Sequence, residues 1–201
     1  MKIDLTEIYK GLDEWRAERG ITTESQKAGY IVNVMEELGE LASALREYER
    51  FSKPSYPYQK NKKYAEHGII DALCDISVFT INAGADIPCE FKRTEIEWKK
   101  SSLDADYILK QMIEKCAEFS HFEWVDIPSF NIILANCAYL CRHYGYDFKI
   151  AMDETIKEIS SRTGFYDEVR GEWIEYPSWK AQTKWYEADY KIARLHKKDK
   201  K

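Results

Sequence analysis

Glu36-Glu37-Leu38-Gly39-Glu40 and, further along the chain, Asp71-Ala72-Leu73-Cys74-Asp75 decide how this chain is read, because both carboxylate clusters lie inside runs with helical periodicity. In the first run, Glu24 to Arg50, Ile31, Val34, Leu38, Leu41 and Leu45 recur at helical spacing and mark a core-facing stripe. At about 100° per residue, Glu37 and Glu40 fall on the shoulder of that stripe, with Asn33 and Ala44 on the same side. The second run, Lys63 to Ala85, is apolar on most sides through Ile69, Ile70, Leu73, Cys74, Ile76, Val78, Phe79 and Ile81, which predicts a buried helix. Gly68, Asp71, Asp75 and Asn82 run along one line of it. Like charges four residues apart repel by about 0.2–0.5 kcal/mol on an exposed helix, and burial multiplies the cost.

Acids in that setting need compensation from basic side chains, shared protons or a metal. Oxygen ligands in this number suit a hard divalent ion such as Mg²⁺ or Mn²⁺. An isolated E-x-x-E is ordinarily a solvated helix face. The second cluster changes that reading, since aspartate is a poor helix former and is almost never fully buried unpaired. Gly39 and Gly68 fall on the two acidic helices where a side chain would be cheaper, which predicts the close approach of a neighbour or ligand at each.

A helix with E-E-L-G-E followed by an apolar helix with a second acidic pair resembles the all-α nucleoside triphosphate pyrophosphohydrolases, the MazG-like and dimeric dUTPase superfamily, in its longer, phage-type form. The usual pattern there is E-x-x-E, a spacer and E-x-x-D. Glu37 and Glu40 match the first half and Asp75 the final aspartate, while Ala72 stands where an acid is expected and cannot bind a metal. Asp71, one residue earlier on Asp75's face, is read as the substitute. The resemblance covers residues 24 to 86 and implies an Mg²⁺ site, with Mn²⁺ as the other ion, at Glu37, Glu40, Asp71 and Asp75. It implies hydrolysis of a nucleoside triphosphate between the α and β phosphates, giving the monophosphate and pyrophosphate. Either Glu36 or Glu40 would take the proton of the attacking water. Lys157 and Arg162, on a late helix, would meet the phosphates, Arg162 ranking first. Asn33, Gln26 and Asn82 are candidates for contact with the base or sugar, and relatives of this kind form dimers or tetramers.

Two other classes compete with the hydrolase. A di-iron bundle calls for two E-x-x-H motifs, and the chain has one, Glu118-Phe119-Ser120-His121, outside both acidic helices. A nucleotide- or protein-binding bundle that keeps the fold with a weakened metal site, marked by Ala72, stays open.

The predicted organisation is one all-α domain over residues 1–201, with helices near 4–19, 24–51, 60–86, 90–100, 103–121, 128–145, 148–163 and 178–196. Pro54 and Pro57 mark a loop over 52–58 that lets the acidic helices run antiparallel. Gly164 reads as a glycine helix cap, and 165–176 as a short β-hairpin or ordered loop. That segment either closes over the site with Phe165 or Trp173 or packs on the bundle. Residues 101–164 align weakly with 24–86 as a degenerate repeat in which Lys115 stands for Glu37, Glu118 for Glu40, Ile132 for Asp71 and Asn136 for Asp75. A C-terminal helix ends in a basic tail, His196 to Lys201.

The net charge of -5, with acids and bases interspersed, offers no stripe for a nucleic-acid polymer. No apolar run reaches the ~18 residues that a membrane span requires. Five cysteines without a C-x-x-C pair read as reduced thiols of a cytoplasmic protein.

Overall fold

The computed structural model describes residues 2–55, 61–97, 105–121, 127–167, 169, 172–177 and 184–196. The chain is all-α with small β elements: β1 (Lys2–Asp4), α1 (Thr6–Arg19), α2 (Thr23–Ser52), α3 (Lys62–Ala83), β2 (Glu95–Glu97), α4 (Ala105–Phe119), α5 (Ile127–His143), α6 (Phe148–Ser161), β3 (Gly164–Asp167) and β4 (Glu172–Glu175). None of its described helices is long and apolar enough to cross a membrane.

Local chemistry sets the helix limits. Thr22 accepts the Ser25 amide at 3.2 Å to start α2, and Asp147 accepts the Ile150 amide at 3.0 Å to start α6, each satisfying a donor that the helix cannot. Gly20, at φ 63°, ends α1 in the left-handed conformation that glycine adopts without strain.

Packing places α3 at the centre. Ile69, Ile70, Leu73 and Ile76 are fully buried, and the line Gly68, Asp71, Asp75 and Phe79 is the half-buried one. The pairs Lys27 with Asp86, Tyr30 with Thr80 and Lys62 with Tyr48 show that α2 and α3 run antiparallel. A β-carbon at Gly68 would lie 3.4 Å from the Ala44 side chain, so glycine there does mark a close approach. At Gly39 no described neighbour comes within 4 Å, and the glycine is exposed. A second antiparallel pair follows, α4 and α5, tied by Ser129 to Glu118 at 2.9 Å and Asn136 to Gln111 at 3.2 Å. It docks on the first through α3 and α5. At the positions that the repeat alignment sets against Glu37 and Glu40, Lys115 and Glu118 form an ion pair at 2.6 Å.

Three expected elements differ. Over the described part of the expected 90–100 helix, residues 90–97, there is no α-helix: a 3₁₀ turn, Cys89–Phe91, leads into β2, whose Ile96 pairs with Ile3 of β1, both buried. The alternation Glu-Ile-Glu opposite Lys-Ile-Asp is a strand pattern too short to stand out. Gly164 is not a helix cap but the first residue of β3, which pairs antiparallel with β4 as the hairpin reading of 165–176 expects. Only glycine fits there, since a β-carbon would fall 2.3 Å from the Ile174 carbonyl oxygen and 2.8 Å from the Trp173 indole.

The C-terminal segment is not helical over 184–196. Its amides are taken by other partners: Tyr186 N–H by Ser161 Oγ at 2.8 Å, Ala188 N–H by Glu158 at 2.8 Å and Asp189 N–H by Glu154 at 3.1 Å. Side-chain acceptors on α6 replace the carbonyls that a helix would have used, and the segment lies over α6 as a strap that buries Tyr190 and Ala193. Residues 178–183 of the expected helix, the basic residues 197–201 and residues 56–60 of the expected loop and helix start lie outside the described residues.

Gly84, where α3 ends, has no room for a β-carbon: one would lie 2.7 Å from the ring of fully buried Phe130. Gly84→Ala is expected to cost about 1–3 kcal/mol, the usual penalty of overpacking, measured by urea unfolding.

Candidate metal and active site

The antiparallel register of α2 and α3 brings Glu40 opposite Asp71 and Glu37 opposite Asp75, so the two acidic motifs meet across one helix pair. A third element closes the group. Glu158 and the Arg162 that ends α6 both act on Asp71 and Asp75, and Arg162 acts on Glu37 as well. Arg162 donates to Glu158 at 3.2 Å and lies 3.8 Å from Glu175 on β4. From the strap, the Tyr190 hydroxyl donates to Asp71 Oδ1 at 2.7 Å and meets Thr155 Oγ1 at 2.9 Å.

Burial and neighbouring negative charge push Glu37, Asp71 and Asp75 toward the neutral form. Glu37 is raised to about 7, first by desolvation and then by Glu40, Asp71 and Glu36. Asp75 is raised to about 8 by desolvation, then by Asp71 and Glu37. Desolvation also raises Asp71, against the hydrogen bond from Tyr190. Arg162 opposes all three shifts without cancelling any. Carboxylates held this way are short of positive charge.

The other predicted residues divide. Ala72 is buried, 1% exposed, so its side chain serves the core while its neighbour Asp71 serves the cluster. Glu36 and Glu40 are exposed at the rim, and Asn33 is half-buried on α2. Lys157 is not brought to the carboxylates: its ammonium pairs with Glu154 at 2.6 Å. Asn82 is not there either, being fully buried with its Oδ1 accepting from Arg16 at 2.9 Å. Both departures have one cause. A nearer buried partner, Glu154 or Arg16, claims the polar group.

Sequence reasoning missed Glu158 and Tyr190. Glu158 carried a signal, since it lies four residues before Arg162, the spacing of a helix ion pair. Tyr190 carried none, because its segment reads as helix. Among the described residues, no three carboxylate, imidazole or thiolate groups converge closely enough to hold a metal ion as they stand. The donor set is nevertheless the right chemistry for a hard cation, all oxygen and deficient in countercharge. The chain matches no protein-family model, no curated protein and no solved structure.

The raised values fix a pH dependence. The folded protein binds protons at Glu37 and Asp75 that the unfolded chain has released above pH ~4. Stability without added metal should therefore fall from about pH 4 to about pH 8, as both groups are forced to ionise in place. Asp75→Asn should flatten that slope and raise the melting temperature at pH 8. Thermal unfolding of both proteins across the range reads it, and equal slopes would contradict the cluster's electrostatics.

Proposed function

We propose that this chain is an Mg²⁺-dependent nucleoside triphosphate pyrophosphohydrolase, cleaving between the α and β phosphates to give the monophosphate and pyrophosphate. The observation that supports the reading is the charge-deficient carboxylate group at Glu37, Glu40, Asp71 and Asp75, faced by the Arg162 guanidinium. An acidic site takes a polyphosphate only through cations. Bound Mg²⁺ would neutralise phosphate charge and lower the pKa of the attacking water.

The chain's own residues divide the remaining work. Glu37, Asp71 and Asp75, half-buried between helices, would hold the ion, with Tyr190 orienting the Asp71 carboxylate. Glu40, exposed at the rim opposite Asp71, or Glu36 beside it, would accept the proton of the water. Arg162 would neutralise the leaving pyrophosphate, a role for fixed positive charge. Lys157, paired with Glu154, is left out of it. Self-association belongs to the same reading: α2 and α4 expose Ile31, Val32, Met35 and Ile113, apolar surface that a second copy would remove from water. Sedimentation velocity measures it.

A second reading, a non-catalytic nucleotide- or protein-binding bundle, draws on the carboxylates' failure to converge on one point among the described residues. Pyrophosphate release across ribo- and deoxyribonucleoside triphosphates with Mg²⁺ or Mn²⁺ separates the two. Turnover of at least one is expected, and none with either ion refutes the hydrolase. Glu37→Gln or Asp75→Asn should lower kcat about 100-fold or more, since a metal's charge stabilisation is worth several kcal/mol and each ~1.4 kcal/mol is tenfold. Both variants should stay folded by circular dichroism.

A further inference from the structure

One cavity takes no part in the chemistry above. It measures about 330 Å³, in the range of small-molecule sites, and is lined by Trp15, Ile21, Ser25, Gln26, Trp173 and Glu175. Three elements build it: the end of α1, the start of α2 and the β3–β4 hairpin.

Its two indoles are fixed in place. Trp15 donates Nε1–H to the Ile159 carbonyl at 3.2 Å, and the Arg19 guanidinium lies 5.2 Å from the Trp15 ring and 5.4 Å from the Trp173 ring. Arg19 is itself anchored on the last carbonyls of α6, at Ser160 and Arg162. Trp173 rests on the bare backbone of Gly164. Polar capacity is left over: among the described residues the buried Trp173 Nε1–H has no acceptor, and the Gln26 amide, a donor and an acceptor together, lines the same cavity. Ser25 is different, its hydroxyl being committed to the Thr22 carbonyl at 2.8 Å.

Two independent connections run from this cavity to the carboxylates. On α2, Gln26, Asn33, Glu37 and Glu40 stand 7, 11 and 14 positions apart from the first, within about 60° of one another around the axis, so one polar stripe joins cavity to cluster. Gln26 and Glu37 are about 16 Å apart along it, on the order of the reach from a base to the end of its triphosphate. From the other side, Glu175 lines the cavity and pairs at 3.8 Å with Arg162, which faces Glu37, Asp71 and Asp75.

We infer that this cavity is the base-binding site: a nucleobase lies against Trp15 and Trp173, Gln26 reads its edge with one donor and one acceptor, and the phosphates run along the α2 stripe to Arg162 and the carboxylates. The inference rests on the pyrophosphohydrolase reading for its ligand, and it gives the hairpin a role, with Trp173 as a wall of the site. Phe165, also on the hairpin, packs on Tyr176 with ring centres 5.7 Å apart and does not line the cavity.

The test uses the full chain without metal, titrated with uncharged nucleosides of each base while tryptophan fluorescence is followed. At least one nucleoside should quench saturably. Gln26→Ala should weaken that binding about tenfold, the scale of one or two lost hydrogen bonds, and should raise KM for the matching triphosphate by a similar factor, the loss falling on KM rather than kcat. Trp173→Leu, checked for folding by circular dichroism, should lose the quenching. Saturable binding that depends on Gln26, without turnover of any triphosphate, would uphold the pocket and overturn the hydrolase. Turnover with KM indifferent to both substitutions, or quenching by no nucleoside, would overturn the pocket.

Discussion

The repulsion among half-buried carboxylates between α2 and α3 is the constraint on which the rest of this structure turns. Glu37 and Asp75 lie where burial and their neighbours drive them toward protonation near neutral pH. A bundle of this size could have filled those positions with leucine at a gain in stability. The antiparallel register instead aligns acid with acid, and the described elements around the helix pair supply partial relief: a guanidinium from the end of α6 and a hydroxyl from the strap.

The C-terminal half of α6 is where these threads meet. Arg19 and Trp15 of α1 bind its last carbonyls, which satisfies groups that a helix leaves open and places a cation at the negative end of its dipole. Glu154 and Glu158 take the amides of the strap, which keeps it from coiling into a helix and delivers Tyr190 to Asp71. Arg162, following the last turn, is shared between Glu158, Glu175 and the acidic cluster. The same short stretch thus holds α1, the hairpin and the strap around the acidic pair. Arg162 becomes the positive pole of the acidic cluster because of what converges on that helix end.

The second helix pair offers a comparison within the molecule. At the positions aligned with Glu37 and Glu40, Lys115 and Glu118 neutralise each other at 2.6 Å. There the charge is balanced within the fold and calls for nothing from outside. In the first pair it is left unbalanced, and the polar stripe from Gln26 to Glu40 runs between that imbalance and an aromatic cavity.

Periodicity alone determined the helices that matter, because the apolar repeats of α2, α3, α4, α5 and α6 are long and the caps at Thr22 and Asp147 are local. It also put Glu37 with Glu40 on one face of α2 and Asp71 with Asp75 on one face of α3, since each spacing follows from the helical repeat; that the two faces meet was decided by packing. It failed where competition was tertiary. Short strands such as Glu95–Glu97 exist only because β1 lies beside them, and residues 184–196 avoid a helix because Glu154 and Glu158 outbid its own carbonyls. Asn82, on the helical line of Asp71 and Asp75, and Lys157, implied by the resemblance, were claimed by Arg16 and Glu154. Tyr190 reached Asp71 through a contact that no spacing encodes. A helical repeat is written in neighbouring residues, whereas the choice of which distant group claims a side chain is made only when the chain has packed.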